Sequence, residues 1–177
     1  MGHQAHKKNA LKNLRVGIIT VSTSRTLKED KSGAWMKKQA QKEGHDVVLH
    51  QVVTDDRDRI ENAVRRAVDD FDPHLLLVTG GTGLTKADVT IEAVRPLFVK
   101  ELTAFSPLFT MLSHAEIDSS ALLSRATAGV IKGTAVFCLP GSLNACKLAC
   151  KALIFPEAGH IAAHVRQEHP VAPASAA

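Results

Sequence analysis

Leu75-Leu76-Leu77-Val78-Thr79-Gly80-Gly81-Thr82-Gly83 is the stretch from which the fold can be read. Four apolar residues in a row, with no polar alternation, describe a short strand buried on both faces, as in a parallel sheet. The run stops at glycines 80, 81 and 83, which allow backbone angles that a Cβ forbids. Such a turn can aim successive N–H groups at one point and form an anion-binding nest. Thr85-Lys86-Ala87-Asp88 follows, then a short helical stretch over 89–94 that Pro96 ends, because the residue before a proline is pushed out of the α region. Strand, glycine turn and helix start is the arrangement at which open α/β sheets bind phosphorylated ligands. The pattern is neither GxGxxG nor GxxxxGK followed by Ser or Thr, so it is not an ordinary dinucleotide or P-loop fingerprint. A tight βα turn without a ligand is the competing reading. Thr85 and Asp88 also fit a capping box, with Asp88 held by backbone donors.

Outward from this centre, residues 15–21 and 46–53 read as strands rich in β-branched residues. Residues 130–133 and 135–139 read as two more around a turn. A helix is predicted over 33–43, with Ser32 as N-cap and Gly44 just past its end. A second is predicted over 58–70, where Ile60, Ala63, Val64, Ala67, Val68 and Phe71 recur at helical spacing. Residues 102–112 are apolar enough to be buried under a subunit interface. Residues 113–124 read as helical in part, with Ser119 or Ser120 as a cap. Pro140-Gly141-Ser142 repeats the strand, turn and helix of the centre, and Pro156 opens a last helix reaching Glu168.

Strands alternating with helices imply one α/β domain over residues 14–168, a three-layer α/β/α arrangement around a mostly parallel sheet. A flexible basic tail (1–13) is expected before it and a disordered tail (169–177) after it. Right-handed crossovers put the strand carboxyl ends on one edge, so the loops at 22–32, 54–58, 79–88 and 139–142 converge. Two acidic loops, carrying Asp55 and Asp88, then meet two backbone turns. A phosphorylated ligand with a divalent cation fits there, since Mg2+ favours one or two carboxylates plus phosphate oxygens. Asp55 or Asp56 can equally be the N-cap of the helix that follows.

At 177 residues and 45% hydrophobic content the chain is long enough for one domain with a full core. No apolar run reaches the roughly 20 residues that span a bilayer, and residues 1–14 lack the apolar centre of a secretory signal. A cytoplasmic protein without membrane attachment is expected. A net charge of +4 and a pI of about 9.1 suit an anionic small ligand. Nucleic-acid binding is not expected, because Tyr is absent, Trp35 is the single Trp and no basic stripe is interleaved with aromatics. Cys138, Cys146 and Cys150 are an odd, clustered set, read as small buried hydrophobes rather than as a disulfide framework or metal site. His160, His164 and His169 lack the HExxH arrangement and are read as a solvated helix face.

Several spaced motifs agree with one another: Val21-Ser22, Asp30-Lys31-Ser32-Gly33, TGGTGLTKADVTIEA over 79–93, Leu123-Ser124-Arg125-Ala126, Leu139-Pro140-Gly141-Ser142 and Phe155-Pro156-Glu157. In this order, over about residues 14–168, they resemble the MoaB/MogA family of molybdenum cofactor biosynthesis proteins, and the MoaB branch most. The resemblance implies a molybdopterin-binding fold and a homotrimer or a pair of trimers. It implies Mg2+-dependent adenylylation, in which the terminal phosphate of molybdopterin attacks the α-phosphate of ATP and pyrophosphate leaves. A non-catalytic molybdopterin carrier of the same pathway is the alternative, and an unrelated nucleotide-binding module a third reading. The molybdenum-insertion protein of the pathway is an implied partner. By position, Asp55 and Asp88 fall on the family's functional carboxylates, acting through Mg2+ and substrate orientation. Ser22, Asp30, Ser32, Gly33, Thr79, Gly80, Gly81, Thr82, Gly83, Lys86, Ser124, Pro140, Gly141 and Ser142 fall on its pterin- and phosphate-binding segments. Two positions depart from the family pattern. Ala87 stands where Arg commonly precedes the central Asp, with Lys86 an imperfect substitute, and Thr23 stands where Asp or Asn is common.

Overall fold

The Leu75 run is a strand at the heart of a mixed sheet. In the computed structural model, which describes residues 11–168, the strands are β1 Arg15–Val21, β2 Asp46–Val53, β3 Leu75–Thr79, β4 Lys100–Glu101, β5 Thr127–Ile131 and β6 Thr134–Leu139. They lie in the order β2-β1-β3-β6-β5-β4. β2, β1, β3 and β6 run parallel, while β5 is antiparallel to β6 and to β4. The helices are α1 Lys31–Lys42, α2 Arg57–Phe71, α3 Thr90–Val94, α4 Phe105–Ile117, α5 Leu143–Ala149 and α6 Ala158–Glu168.

The apolar runs are explained by burial on both sides. Val16, Ile18, Leu75, Leu77, Ala135 and Phe137 point to one core with Met36, Phe109, Cys146, Ala149 and Ala162, from α1, α4, α5 and α6. Ile19, Val21, Leu76, Val78, Val136 and Cys138 point to the other, against Ile60, Val64 and Val68 of α2 and Ala93 and Val94 of α3. The sheet is thus the middle of three layers, and each residue of the central strands β3 and β6 finds apolar cover whichever way the pleat directs it. The three thiols are free and buried, as read; burial pushes Cys138 up to about 12 and raises Cys146 and Cys150 as well. Among the described residues no helix is long and apolar enough to cross a membrane.

Several local expectations are corrected. α1 starts before residue 33 and is capped by Asp30, whose Oδ1 accepts from the Gly33 N–H at 2.8 Å. Ser32 is not the cap; its hydroxyl donates to the Gly141 carbonyl at 3.0 Å. Neither Ser119 nor Ser120 caps a helix, since 118–123 is a 3-10 stretch continuing from α4 without a side-chain cap. β5 begins at Thr127, earlier than its pattern suggested. The last α-helix starts at Ala158, because a π turn at Cys150–Ile154 and a 3-10 turn at Phe155–Glu157 precede it. Leu11, within the expected tail, donates its N–H to the Gly159 carbonyl of α6 at 3.1 Å. Residues 1–10 of that tail and the expected tail from 169, with His169, lie outside the described residues.

Candidate functional site

The neighbours of β1 are β2 on one side and β3 on the other, so the chain leaves the carboxyl ends of β1 and β3 in opposite directions. That divergence opens a crevice in parallel sheets. Here it is a cleft of about 600 Å3, lined by residues 21–25 after β1, Asp55 after β2, residues 80–83 with Ala87 and Asp88 after β3, Leu123, Ser124, and residues 140–142 after β6.

The glycine turn is the floor of this cleft, and it is held from behind. Gly80 and Gly81 have φ of +98° and +61°, and a Cβ on Gly80 would drive into the Val21 carbonyl. Thr90 takes two of the turn's carbonyls: its hydroxyl donates to Gly80 O at 2.8 Å and its N–H to Gly81 O at 2.9 Å. Arg125 takes the next two, Nε donating to Thr82 O at 2.9 Å and Gly83 O at 3.0 Å. Arg125 is steadied by Glu92, with Nη1 to Oε1 at 2.6 Å. That contact with Arg125 holds the Glu92 carboxyl below its ordinary range. In a trans peptide the N–H points opposite to the preceding C=O. With these carbonyls drawn toward Thr90 and Arg125, the N–H groups of Gly81, Thr82 and Leu84 are turned the other way, while that of Gly83 faces the Asp88 carboxylate. This is the geometry of an anion nest.

A carboxylate stands at each end of the turn. Asp56, not Asp55, caps α2, accepting from the Arg59 N–H at 2.9 Å. Asp55 is thereby left beside the turn, its Oδ1 3.2 Å from the position a Gly81 Cβ would occupy. The Thr23 hydroxyl donates to Asp55 Oδ2 at 2.7 Å. At the other end Asp88 Oδ2 accepts from Thr85 Oγ1 at 2.6 Å and Thr85 N at 2.8 Å. The Thr85 hydroxyl, helped by the Thr85 and Gly83 N–H groups and Arg125, keeps the Asp88 carboxyl below its ordinary range. The expected Thr85–Asp88 box therefore forms, but it closes a turn rather than capping α3, whose N-cap Val89 has no side-chain bond.

Of the expected site residues, Ser22, Asp55, Gly80, Gly81, Thr82, Gly83, Asp88, Ser124, Pro140, Gly141 and Ser142 line the cleft. Asp30, Ser32, Gly33, Thr79 and Lys86 do not. Asp30 is buried, accepting from Thr20 Oγ1 at 2.6 Å and facing His50 Nε2 at 2.9 Å. Thr79 is buried, donating to the Pro140 carbonyl at 2.9 Å. A Cβ on Gly33 would strike the Asp30 carboxylate. These residues brace the loops, and Lys86 is exposed outside the cleft. Sequence reasoning assigned no role to Arg125, Glu92, Thr90 or Arg25; Arg25 is the cationic side chain on the cleft wall.

A family profile described as a probable molybdopterin binding domain matches residues 17–160. The chain belongs to the MoaB/MogA family of molybdenum cofactor biosynthesis proteins. Among its relatives, molybdenum cofactor biosynthesis protein B of Bacillus subtilis (strain 168) is 44% identical over 169 residues, covering 95% of this chain and 99% of that one. A protein named molybdopterin adenylyltransferase from Pyrococcus furiosus is 39% identical over 173 residues, covering 94% of this chain and 100% of its own length. The crystal structure of a molybdenum cofactor biosynthesis protein B superposes with a TM-score of 0.85 at 44% identity, covering 88% of this chain and 98% of that one. The MoaB/MogA fold is thus shared over almost the whole described chain.

Proposed function

We propose that this chain binds molybdopterin and adenylylates it with ATP, releasing pyrophosphate. The observation that carries this reading is the glycine turn, with its N–H groups turned away from Thr90 and Arg125 and a carboxylate at each end. The full-length relative named molybdopterin adenylyltransferase supports it. In the reaction, an oxygen of the molybdopterin phosphate forms a bond to the α-phosphorus of ATP. The bond between that phosphorus and the α–β bridging oxygen breaks, and its electron pair leaves with pyrophosphate. The nucleophile is already an anion near neutrality, so no general base is required, and among the described residues no His lines the cleft. The chain's work is placement: the N–H nest holds phosphate oxygens, Arg25 adds positive charge, and the loops after β1 and β6 wall the substrates in.

Asp55 and Asp88 beside a phosphate nest would repel the substrates unless a cation stood between them. Their donor set fits Mg2+, which takes one or two carboxylates and fills its other positions with phosphate oxygens and water. When bound, Mg2+ would supply neutralisation of charge building on the phosphates.

A second reading, a molybdopterin carrier without turnover, is favoured by Ala87, which lines the cleft where a guanidinium is common in the family. Pyrophosphate release with molybdopterin, ATP and Mg2+ separates the two. Adenylylation requires molybdopterin-dependent release; molybdopterin binding without release makes the protein a carrier. We also place it in the cytoplasm, where ATP is available, handing its product to a molybdenum-insertion protein. We propose assembly as a homotrimer or a pair of trimers through α4 and the turn after it, where Leu108, Met111, Ile117, Leu122 and Leu123 are exposed. Light scattering at micromolar concentration should give three chains or six; a stable monomer removes the assembly.

A further inference from the structure

We propose that His160 and His164 form a chelating site for a divalent transition ion of the Ni2+ or Cu2+ kind, outside the cleft and independent of the adenylylation reading. The two residues stand one turn apart on α6, so their side chains share a face. Their Nε2 atoms are 2.9 Å apart, and their ring centres are 4.6 Å apart with the planes at 66°. A straight N–H···N hydrogen bond between the rings would hold their centres at about 5 Å or more. Two imidazoles on one ion behave differently. With metal–nitrogen bonds of about 2.05 Å, ligands at a right angle bring the nitrogens about 2.9 Å and the ring centres about 4.5 Å apart; tetrahedral ligands sit about 3.3 Å and 5.2 Å apart. Both observed spacings match the right angle. That angle belongs to square-planar and octahedral ions rather than to tetrahedral zinc.

A second feature points the same way. Glu157 Oε2 lies 3.4 Å from His160 Nδ1, on the ring nitrogen opposite the shared one. A carboxylate behind a metal-binding imidazole fixes the tautomer, directs the other lone pair outward and raises its basicity. His160 Nε2 then faces His164 Nε2 with its lone pair, and an ion seated between the two nitrogens binds both. His160 is one-third exposed and His164 is exposed, so the site opens to solvent. Among the described residues the pair brings two nitrogens to the ion, and water or a small ligand can complete its shell.

The test uses the full chain in chelator-treated buffer near pH 8, with NiCl2 as the probe. His3, His6 and His169 also carry imidazoles, so the readout must belong to this pair. Millimolar Ni2+ should raise the melting midpoint by about 5 °C, as expected of an ion that binds the folded state alone, and should broaden the imidazole resonances of His160 and His164. His164→Ala should melt normally without metal and lose the shift, His164→Cys should keep most of it, and Glu157→Gln should weaken binding about tenfold. Zn2+ should shift the midpoint less than Ni2+. The proposal is overturned if Ni2+ gives no shift, if the shift survives in His164→Ala, or if Zn2+ stabilises more than Ni2+.

Discussion

β3 and β6 pair along their length, Leu75 with Ala135 through to Thr79 with Leu139, and each runs into a tight turn and a helix. The two turns are used differently. After β6, the Pro140 and Gly141 carbonyls accept from Thr79 and Ser32, and Ser142 Oγ caps α5 through the Ala145 N–H at 3.2 Å. That turn braces the fold while its outer side walls the cleft. After β3, the carbonyls are drawn back by Thr90 and by a distant arginine, and the helix that follows has no side-chain cap. The same architecture becomes a helix start or an anion seat according to what holds its carbonyl oxygens.

The largest effect should come from the carboxylates at the β3 turn. Asp55→Asn and Asp88→Asn should each keep the fold and molybdopterin binding yet lose adenylylation by at least about 100-fold, since metal-assisted charge stabilisation is worth several kcal/mol. The double variant should be little worse than either single one. At the β6 turn, Ser142→Ala should cost about 1 kcal/mol of stability with turnover nearly unchanged. Pyrophosphate assays and thermal melts decide; normal turnover with earlier melting in both Asn variants would reduce Asp55 and Asp88 to fold-holding groups.

Next in size is the clamp. Arg125→Ala should raise KM for both substrates about tenfold, as expected for lost hydrogen bonds to a charged donor, because the turn's carbonyls are released. Unchanged KM in a folded variant would mean the nest needs no clamp. The glycines should then rank by conformation. A Cβ at Gly81 meets Thr90 Oγ1 at 2.5 Å with φ +61°, whereas one at Gly141 meets Gly80 Cα at 3.2 Å. Gly81→Ala should therefore cost about 1–2 kcal/mol in stability as well as binding, and Gly141→Ala less; equal melting would erase the distinction.

The smallest effect concerns the brace behind both turns. Burial raises the Asp30 carboxyl, but hydrogen bonds from His50, Thr20 and the Gly33 N–H outweigh it and hold the group below the ordinary carboxylate range. A depressed carboxyl stabilises the fold above its ordinary range and loses that contribution as pH falls through its folded value. Asp30→Asn should be less stable than the parent at neutral pH, with the two denaturation curves converging below about pH 4. Parallel curves would show that Asp30 is not held as a carboxylate.

Sequence and structure agree at the centre of the sheet, though not at every local signal, since Ser32 reads as a cap and is not one. Leu75–Thr79 and the glycines after it are legible because burial on both faces and positive φ each leave a compositional mark. Asp55 and Asp56 are adjacent and chemically alike, so only the path of the chain decides that Asp56 caps α2. Asp30 sits within a family motif, yet its role depends on His50, which arrives from another strand. Arg125 too sits within a family motif, yet its meaning lies in carbonyls contributed by a loop on the far side of α3, β4 and α4. The two-residue β4 is too short to show a period.

The strand order also sets a sequence of events in time. β5 and β6 meet across a two-residue turn, Ile131 beside Thr134, and such hairpins close within microseconds. β3 finds β6 only across α3, β4, α4 and β5, and β1 finds β3 across α1, β2 and α2. Long closures of this kind are slow, because their entropy is lost before any contact rewards it. The cleft draws on the ends of β1, β2, β3 and β6, so it is completed by the last of these pairings. A refolding chain should regain its helical signal well before it can hold a phosphate.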